Sequence, residues 1–285
     1  MSGNNSKKIA FNYFGGKFSF IKYLYENFPP KFTHLVDLFA GSMVVSLNYR
    51  GNVIRTANEI NGEITNFFEQ LREHEDELIR MLELTPEGIT DLERARRFYV
   101  RVRQSFFGLG VQRQNKGWHM SKQQVNAQGG ETVSRWKNGV EKLHEVAQEI
   151  RRNFQIINSD FSAAIDKLDF PEAFFYCDPP YPLESRGSKH KGGDYLFDFT
   201  DADHERLAWK LHQIKGFAMV SGYDCLLMDY LYDDWHKIKF PMKRNNIRSN
   251  IVNGSGTLMQ ECIWCNYEIP VRNQNLFLHE TAYSI

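Results

Sequence analysis

Apolar and polar positions alternate along this chain with two periods, which predict strands and helices in turn. Short apolar runs that end in small or polar residues predict buried strands, whereas apolar residues repeated every three to four positions predict helices. A helix is predicted over 201–214, where acidic residues open the pattern as they do at many helix N-termini. The predicted strands lie at 34–39, 52–60, 154–160, 173–178 and 216–223, with two further candidates at 235–241 and 259–269.

This alternation of strands with helices predicts an α/β fold, in which helices cover both faces of a mostly parallel sheet. In sheets of this kind, ligands bind at the carboxyl ends of the strands. Polar residues stand at these ends, at 37–42, Glu59, Asp160 and Asp178. The sequence therefore predicts that a ligand binds at the strand ends.

The pattern changes between about Asn61 and Arg152, where strand-like runs stop. Helical stretches take their place at 63–84, 91–107 and 133–153, and a Gly-, Gln- and Asn-rich segment at 108–130 predicts an exposed hairpin or loop. We therefore predict one domain formed by 1–60 and 153–285, and a second, mainly helical domain formed by 61–152.

The net charge is zero, because 35 Lys and Arg residues balance 35 Asp and Glu residues. This balance would disfavour a nucleic-acid partner, but the two signs are segregated along the chain. Acidic residues outnumber basic ones over 59–93, whereas 94–122 contains Arg and Lys but neither Asp nor Glu. Such a basic block is expected where phosphates are neutralised, and equally on a solvated helix face that balances the acidic stretch.

The chain carries no sequence signal for a membrane or for export. No apolar run approaches the roughly 20 residues that span a bilayer, and the N-terminal segment lacks the apolar core of a signal peptide. We therefore expect a cytoplasmic protein. Cys262 and Cys265 have C-x-x-C spacing, but no second pair or nearby His cluster completes a zinc site, so buried thiols are expected.

Two glycine-containing segments and one acid are candidate ligand contacts. The segment "NYFGGKFSF" (12–20) lacks the spacing of a phosphate-binding P-loop, so it predicts either a plain turn or a small-molecule contact through Tyr13 and Lys17. Gly41, between a strand and a helix, allows a tight turn and close approach of a ligand. Glu59 ends the next strand, where an acid accepts hydrogen bonds from ribose hydroxyls or is simply solvated.

The most specific signal is "DPPY" (178–181), which directly follows the apolar run "AFFYC". Pro179 and Pro180 fix φ and remove two N–H donors, so this corner is stiff and its carbonyl groups serve as acceptors. Asp178 adds a charged acceptor, and Tyr181 adds a flat apolar surface. Acceptors beside an aromatic ring suit a planar ring that bears an amino group. The alternative is a Pro-rich surface turn with a capping Asp.

The motifs and their order resemble the Dam-like, alpha-class DNA adenine-N6 methyltransferases. That family carries F/W-x-G-G-K, D-x-F-x-G-x-G, an acidic strand end, a target-recognition insertion, S/G-D-F and D-P-P-Y. The matching segments here are 13–17, 37–42, 58–61, 160–161 and 178–181, so the resemblance covers nearly the whole chain.

Two departures from the family pattern stand out. Met43 replaces the second Gly of the F-x-G-x-G turn, where the backbone approaches the cofactor. The text "WHMSKQQ" (118–124) replaces the family's usual F-N-x-P-x-G, so recognition of the family's GATC site does not follow from the resemblance.

The resemblance implies a Rossmann-like methyltransferase domain that transfers a methyl group from S-adenosylmethionine to N6 of a flipped-out adenine in double-stranded DNA, without a metal. It implies that Asp178, Pro179, Pro180 and Tyr181 form the catalytic corner. In that corner, the Asp178 carboxylate and the Pro179 carbonyl would accept the N6 hydrogens while Tyr181 stacks on the base. The residues implied for the cofactor are Tyr13, Lys17, Asp37, Phe39, Gly41, Glu59, Asp160, Phe161 and Asp178.

DNA contacts are expected from the basic block and from the segment that follows the corner. Arg suits guanine and Asn suits adenine in the major groove, which makes Arg113 and Asn115 the candidates for base recognition. The full set of candidate DNA contacts is Arg97, Arg101, Arg103, Arg113, Asn115, Lys116, Arg186 and Lys189.

Other functions on the same fold remain as alternatives. Methyltransferases that act on cytosine N4 or on a protein glutamine typically carry Ser or Asn in place of Asp178, so the acid favours adenine. A DNA-binding or regulatory protein without catalysis is the second alternative, supported by Met43 alone. The sequence leaves open a cognate restriction endonuclease as partner and the oligomeric state.

Overall fold

The structure is a computed structural model that describes residues 8–13, 15–83, 91–104, 125–126, 129–185, 198–240 and 260–269. Its helices are α1 Ile21–Glu26, α2 Val44–Asn48, α3 Gly62–Glu73, α4 Glu75–Glu83, α5 Asp91–Gln104, α6 Glu131–Glu141, α7 Leu143–Asn153, α8 Phe161–Leu168, α9 Asp201–Leu211 and α10 Leu226–Leu231. Its strands are β1 His34–Asp37, β2 Ile54–Asn58, β3 Val125–Asn126, β4 Gly129–Gly130, β5 Phe154–Ile157, β6 Ala173–Cys177, β7 Phe217–Tyr223, β8 His236–Lys239 and β9 Glu261–Cys265. None of the helices in this described part of the chain has the length and apolar composition that crossing a bilayer requires.

Seven strands form one mixed sheet in the order β5-β2-β1-β6-β7-β9-β8. β2 pairs in parallel with β5, and β6 pairs in parallel with β1 and β7, whereas β9 is antiparallel to β7 and β8. β3 and β4 form a separate antiparallel pair. The predicted α/β class is confirmed, and each predicted strand is present.

The chain divides into two compact units. The first unit consists of 1–18 and 40–159, and the second of 19–39 and 160–285. This division differs from the predicted bounds of 61–152, because α2, α3 and α7 group with the strand pair β2–β5. A separate target-recognition domain over 61–152 stays a prediction.

An aromatic core lies between α3 and α5 in the first unit. The apolar residues Ile64, Phe67, Phe68 and Leu71 recur along one face of α3, and all four are buried. Phe67 stacks on Tyr99 of α5, with ring centroids 5.4 Å apart. The helices predicted from periodicity are therefore held together by their own apolar faces.

The basic block begins on α5 with a cluster of ion pairs. Glu93, only 2% exposed, accepts hydrogen bonds from Arg96 at 2.6 and 2.7 Å and from Arg97 at 2.6 Å. The hydrogen bond from Arg96 is the largest cause that lowers the pKa of Glu93 to about 2. Arg96 and Arg97 of the basic block thus share the buried negative charge of Glu93. Glu93 directly precedes the acid-free stretch 94–122 in the sequence.

β6 forms the buried centre of the second unit. Every residue of Ala173–Cys177 is buried, as expected for a parallel strand that is covered on both faces. β1 and β7 flank β6, with Asp37 opposite Tyr176 and Cys177 opposite Val220. The carboxyl ends of β1, β6 and β7 therefore lie side by side.

Both cysteines of β9 are buried, as predicted for the C-x-x-C pair. Burial raises the pKa of the Cys262 and Cys265 thiols to about 12. Both thiols therefore stay protonated at neutral pH and pack as small apolar side chains.

Met43 has a left-handed backbone conformation, with φ 55° and ψ 18°, directly before α2. Gly41 is also left-handed, with φ 47°. The left-handed conformation costs roughly 1 kcal/mol for a residue other than glycine. The Met43 side chain offsets this cost, because it is fully buried in the core cluster of the first unit. Met43, which stands where the family has glycine, therefore keeps the left-handed backbone conformation that glycine favours.

Replacing Met43 by glycine or by alanine should separate the effect of backbone strain on stability from the effect of side-chain packing. Both variants lose a buried side chain, and Met43→Ala should lower the free energy of unfolding by about 2–5 kcal/mol. Met43→Gly should be more stable than Met43→Ala by roughly 1 kcal/mol, because only glycine adopts this φ without strain. Urea titrations of both variants measure the difference.

Leu47 provides the matched control, because it is buried on the adjacent helix α2. Leu47→Ala should be more stable than Leu47→Gly by about 1 kcal/mol, which is the usual order in a helix. If Met43→Ala were likewise more stable than Met43→Gly, the backbone strain assigned to Met43 would be contradicted.

Glu93→Gln should lower the free energy of unfolding at pH 7 by up to about 3 kcal/mol, because it removes a buried counter-charge. The folded-state pKa lies below the ordinary value of 4.5, so the stabilisation is complete above about pH 4.5 and is lost as the pH falls towards 2. Wild type and variant should therefore converge over that range in urea titrations. Glu141→Gln, at an exposed position of α6, should change the stability by less than about 0.5 kcal/mol at any pH. A Glu93→Gln difference that is constant with pH would be inconsistent with the lowered pKa.

Candidate active site

Glu59 joins two backbone segments of the first unit. The N–H of Gly41 donates to Oε2 of Glu59 at 2.8 Å, and the N–H of Asn61 donates to Oε1 at 3.1 Å. The side chain of Asn61 in turn accepts from the Glu63 N–H and caps α3. The carboxylate therefore fixes the turn at Gly41 relative to the start of α3.

The half-buried Glu59 carboxyl has a raised pKa, because burial disfavours its charged form. Hydrogen bonds from the backbone N–H groups of Asn61, Gly41 and Ile60 act in the opposite direction. The two oxygens of a carboxylate have about four acceptor positions in all, so three backbone N–H groups leave room for a further donor. A hydroxyl group of a ligand could donate to the remaining position.

The glycine pair forms a turn that is packed close to Gly41. The N–H of Gly16 donates to the carbonyl of Tyr13 at 3.1 Å, and Gly15 is left-handed with φ 79°. Lys17 is 4% exposed, and its Nζ donates to the Gly15 carbonyl at 3.4 Å. A Cβ added at Gly41 would come within 3.1 Å of the Tyr13 ring, and the φ of 47° is strained for other residues, so glycine is favoured there. Of the residues predicted for the cofactor, the structure thus brings Tyr13, Gly41 and Glu59 together.

Two predicted acids of the second unit lie near the end of β6. Asp37 is 2% exposed and stands opposite Tyr176 in the β1–β6 register. The pKa of Tyr176 is well above its ordinary value, mainly through burial and also through the negative charges of Asp178 and Asp37. Its hydroxyl lies 3.0 Å from Oγ of Ser221, which satisfies a polar group in the core.

Three phenylalanine rings form a cluster in the same unit. Phe39 and Phe161, both predicted from the sequence, have ring centroids 5.8 Å apart, and Phe199 lies 5.5 Å from Phe39 and 5.6 Å from Phe161. Phe199 was not predicted, because no motif marks it. It stands directly before the capping box that Thr200 and Asp203 form at the start of α9.

Asp160 has structural contacts that the sequence did not indicate. Its Oδ1 accepts from the Ser162 N–H at 3.0 Å and caps α8. Arg206 of α9 donates to both oxygens of this carboxylate, at 2.9 and 3.1 Å, and its guanidinium lies 4.1 Å from the centre of the Phe161 ring. Asp160 therefore has a structural role, because it positions Phe161 and the start of α8.

The corner after β6 is held by two contacts from distant parts of the chain. His204 of α9 is 1% exposed and donates through Nε2 to the Pro180 carbonyl at 3.1 Å. The Tyr181 hydroxyl donates to Oε1 of Glu261 at 2.6 Å. Asp178 is half-buried and Pro179 is buried, so the corner is not a free surface turn. The alternative of a Pro-rich surface turn is therefore wrong for these residues.

Among the predicted DNA contacts, three lie on α5 within the described residues. Arg101 is exposed, Arg97 pairs with Glu93, and the guanidinium of Arg103 lies 6.0 Å from the centre of the Tyr99 ring. Arg113, Asn115, Lys116, Arg186 and Lys189 lie outside the described residues.

Comparison with known proteins gives a family match and also likenesses to solved structures. A family described as D12 class N6 adenine-specific DNA methyltransferase matches residues 13–247. A solved structure described as a conserved hypothetical protein from Streptococcus pyogenes is 10% identical and covers 88% of this chain and 96% of that chain. Its TM-score is 0.35.

The family match confirms the resemblance that the motifs predict and, with it, the Rossmann-like class of the α/β fold. The matched range runs from the glycine pair through the "DPPY" corner and beyond α10. The chain therefore belongs to the D12 class of N6 adenine-specific DNA methyltransferases.

Proposed function

We propose that this protein transfers the methyl group of S-adenosylmethionine to N6 of an adenine that has been flipped out of duplex DNA. The observation that carries the proposal is the corner at 178–181. There, a charged acceptor and an aromatic ring follow a fully buried strand, His204 holds the Pro180 carbonyl between them, and Glu261 holds the Tyr181 hydroxyl. A rigid acceptor site of this kind suits an amino group on a planar ring, and adenine is the base named by the family.

The residues of the first unit fit one part of the cofactor. Glu59 would accept a hydrogen bond from the ribose hydroxyls, because its backbone N–H partners leave part of the carboxylate's acceptor capacity open. Tyr13 and Gly41 would line the same place, and Lys17 would pair with the carboxylate of the methionine part. When bound, S-adenosylmethionine supplies an electrophilic methyl group on a positively charged sulfur.

The remaining cofactor assignments rest on the resemblance and are proposals. Phe39 and Phe161 offer apolar ring surface that suits an adenine. Asp37 and Asp178 of the same unit are the other cofactor contacts that the resemblance implies. Asp160 would act mainly through Phe161, since its carboxylate is already paired with Arg206 and caps α8.

Asp178 and Pro179 would activate the adenine amino group. The lone pair of N6 is delocalised into the ring, which makes the nitrogen a poor nucleophile. Acceptors for both N6 hydrogens, the Asp178 carboxylate and the Pro179 carbonyl, would favour tetrahedral geometry at nitrogen and free the lone pair. Positive charge would develop on N6 as the nitrogen–methyl bond forms and the methyl–sulfur bond breaks, and a carboxylate placed there beforehand would stabilise it. The methylated nitrogen would then lose one proton to water, and S-adenosylhomocysteine would be the second product.

DNA binding would place the base at this corner. Extrusion of a base costs a few kcal/mol, which stacking on Tyr181 would offset in part. The exposed Arg101 and the other predicted cations would meet the phosphate backbone, and Arg113 and Asn115 would contact base edges. A phosphate at Arg97 would compete with Glu93. A cognate restriction endonuclease would share the recognised DNA sequence.

Removing the acid of the corner should abolish transfer. Asp178→Asn keeps the shape of the side chain but loses its charge, and it should lower kcat by about 100-fold or more. Asp178→Ala should have no measurable turnover. The assay incubates duplex DNA with radiolabelled S-adenosylmethionine and then hydrolyses the DNA to nucleosides, which separates N6-methyladenine from N4-methylcytosine.

Asp233→Asn is the matched control, because Asp233 is exposed on the same unit, and it should keep full activity. Urea titrations of all three variants report folding. Turnover by a folded Asp178→Ala protein would rule out the mechanism. Radiolabel recovered in N4-methylcytosine would show that cytosine, and not adenine, is the methylated base.

Glu59→Gln should weaken binding of S-adenosylmethionine by about 10-fold or more, because an amide offers one acceptor oxygen where two backbone N–H groups need one each. For the wild type, affinity should fall as the pH drops through the raised pKa of Glu59, since a protonated carboxyl accepts fewer hydrogen bonds. Isothermal titration calorimetry between pH 5 and pH 8 measures both effects. Equal affinity of Glu59→Gln and wild type at all pH values would exclude Glu59 from the cofactor site.

A further inference from the structure

Tyr181 is held in the second unit by two side chains that no motif of the sequence marks. Its hydroxyl donates to Oε1 of Glu261 at 2.6 Å, although the two residues are 80 positions apart. Its ring meets the ring of Tyr223 edge to face, with centroids 4.6 Å apart and an interplanar angle of 74°. Both contacts lie beside the corner that carries the proposed function.

The reversed direction of β9 brings Glu261 to this place. β9 is antiparallel to β7, so Glu261 at the start of β9 stands opposite Tyr223 at the end of β7. The backbone of Glu261 is fixed on its other side as well, because its carbonyl accepts from the Phe240 N–H at 2.8 Å. Glu261 therefore offers an acceptor whose position is set by the sheet.

The two contacts restrain different motions of the Tyr181 ring. The hydroxyl lies on the axis about which the ring rotates, so its hydrogen bond fixes where the far end of the ring points. The edge-to-face contact with Tyr223 limits rotation about that axis. A hydrogen bond from a hydroxyl to a carboxylate is short and strong, so the restraint is a firm one.

The hydroxyl remains a donor over the whole neutral range. Burial, followed by the negative charges of Asp178 and Glu261, raises the pKa of Tyr181 well above its ordinary value. The proton is therefore available to Glu261 at any pH at which the enzyme would work.

We propose that Glu261 is a positioning residue for the methyl transfer: it holds the Tyr181 ring in the plane on which the flipped adenine stacks, without touching the base itself. This inference rests on the proposed function. A stacking ring that is already ordered binds the base at a lower entropic cost and keeps N6 at the acceptors of the corner.

The test uses four variants in a double-mutant cycle: Glu261→Ala, Glu261→Gln, Tyr181→Phe, and Tyr181→Phe combined with Glu261→Ala. Mapping the adenines methylated by the wild type identifies the target site. A duplex with 2-aminopurine at that position then reports, by fluorescence anisotropy, how tightly the flipped base is held. Steady-state assays give kcat and KM for the unmodified duplex, and urea titrations report folding.

We expect Glu261→Ala to lower kcat by about 10-fold and to lower the anisotropy of the bound 2-aminopurine. Glu261→Gln should stay within about 3-fold of the wild type, because its amide oxygen still accepts the hydroxyl proton. Tyr181→Phe removes the same hydrogen bond with little risk to the fold and should match Glu261→Ala. The double variant should be no worse than either single variant, since one interaction is lost in all three.

Glu205→Gln, an exposed position on α9, is the control and should retain wild-type kcat and anisotropy. Losses that multiply in the double variant would overturn the inference, because Glu261 would then act by another route. Wild-type kcat and anisotropy in Glu261→Ala would overturn it as well. Both outcomes presuppose an active wild type and so leave the proposed function intact, whereas a wild type that does not methylate DNA would remove both proposals.

Discussion

The parallel pairing of β6 with β1 and β7 is the constraint on which the second unit depends. β6 is buried along its whole length, and its neighbours fix the register of Asp37 and of the residues that follow Cys177. The chain leaves this strand through two prolines, which have few backbone conformations available. The carboxylate of Asp178 is therefore placed by the sheet and by the stiffness of the corner, with little freedom left to local turns.

Carboxylates organise both units, and they do so in different ways. Glu59 receives backbone N–H groups on both oxygens and holds a turn against a helix. Asp160 combines a helix cap with a two-pronged ion pair to Arg206. Glu261 accepts a tyrosine hydroxyl. Each of these acids satisfies donors of the protein itself, and that pairing fixes the position of the groups around it.

The charge pattern also acquires a different meaning in three dimensions. In the sequence, the residues after Glu93 form a basic block without acids. In the fold, Glu93 is buried between Arg96 and Arg97, so the first cations of the block are partly neutralised by their own helix. Binding of phosphates by this helix would fall mainly to Arg101, which is exposed. Counting Arg residues in the sequence therefore overstates the positive charge that α5 presents to phosphates.

Local sequence patterns were enough to predict the strands of the sheet, the Gly41 turn, Glu59 at a strand end and the stiff corner at 178–181. These features depend on local periodicity and on the backbone chemistry of Gly and Pro, which are readable residue by residue. The folded structure was needed to show three further sets of contacts. Arg206 pairs with Asp160, His204 holds the Pro180 carbonyl, and Glu261 and Tyr223 restrain Tyr181. These partners come from α9, β7 and β9. Strand direction and helix packing bring them to Asp160 and to the corner across long stretches of chain that carry no local pattern for the contact.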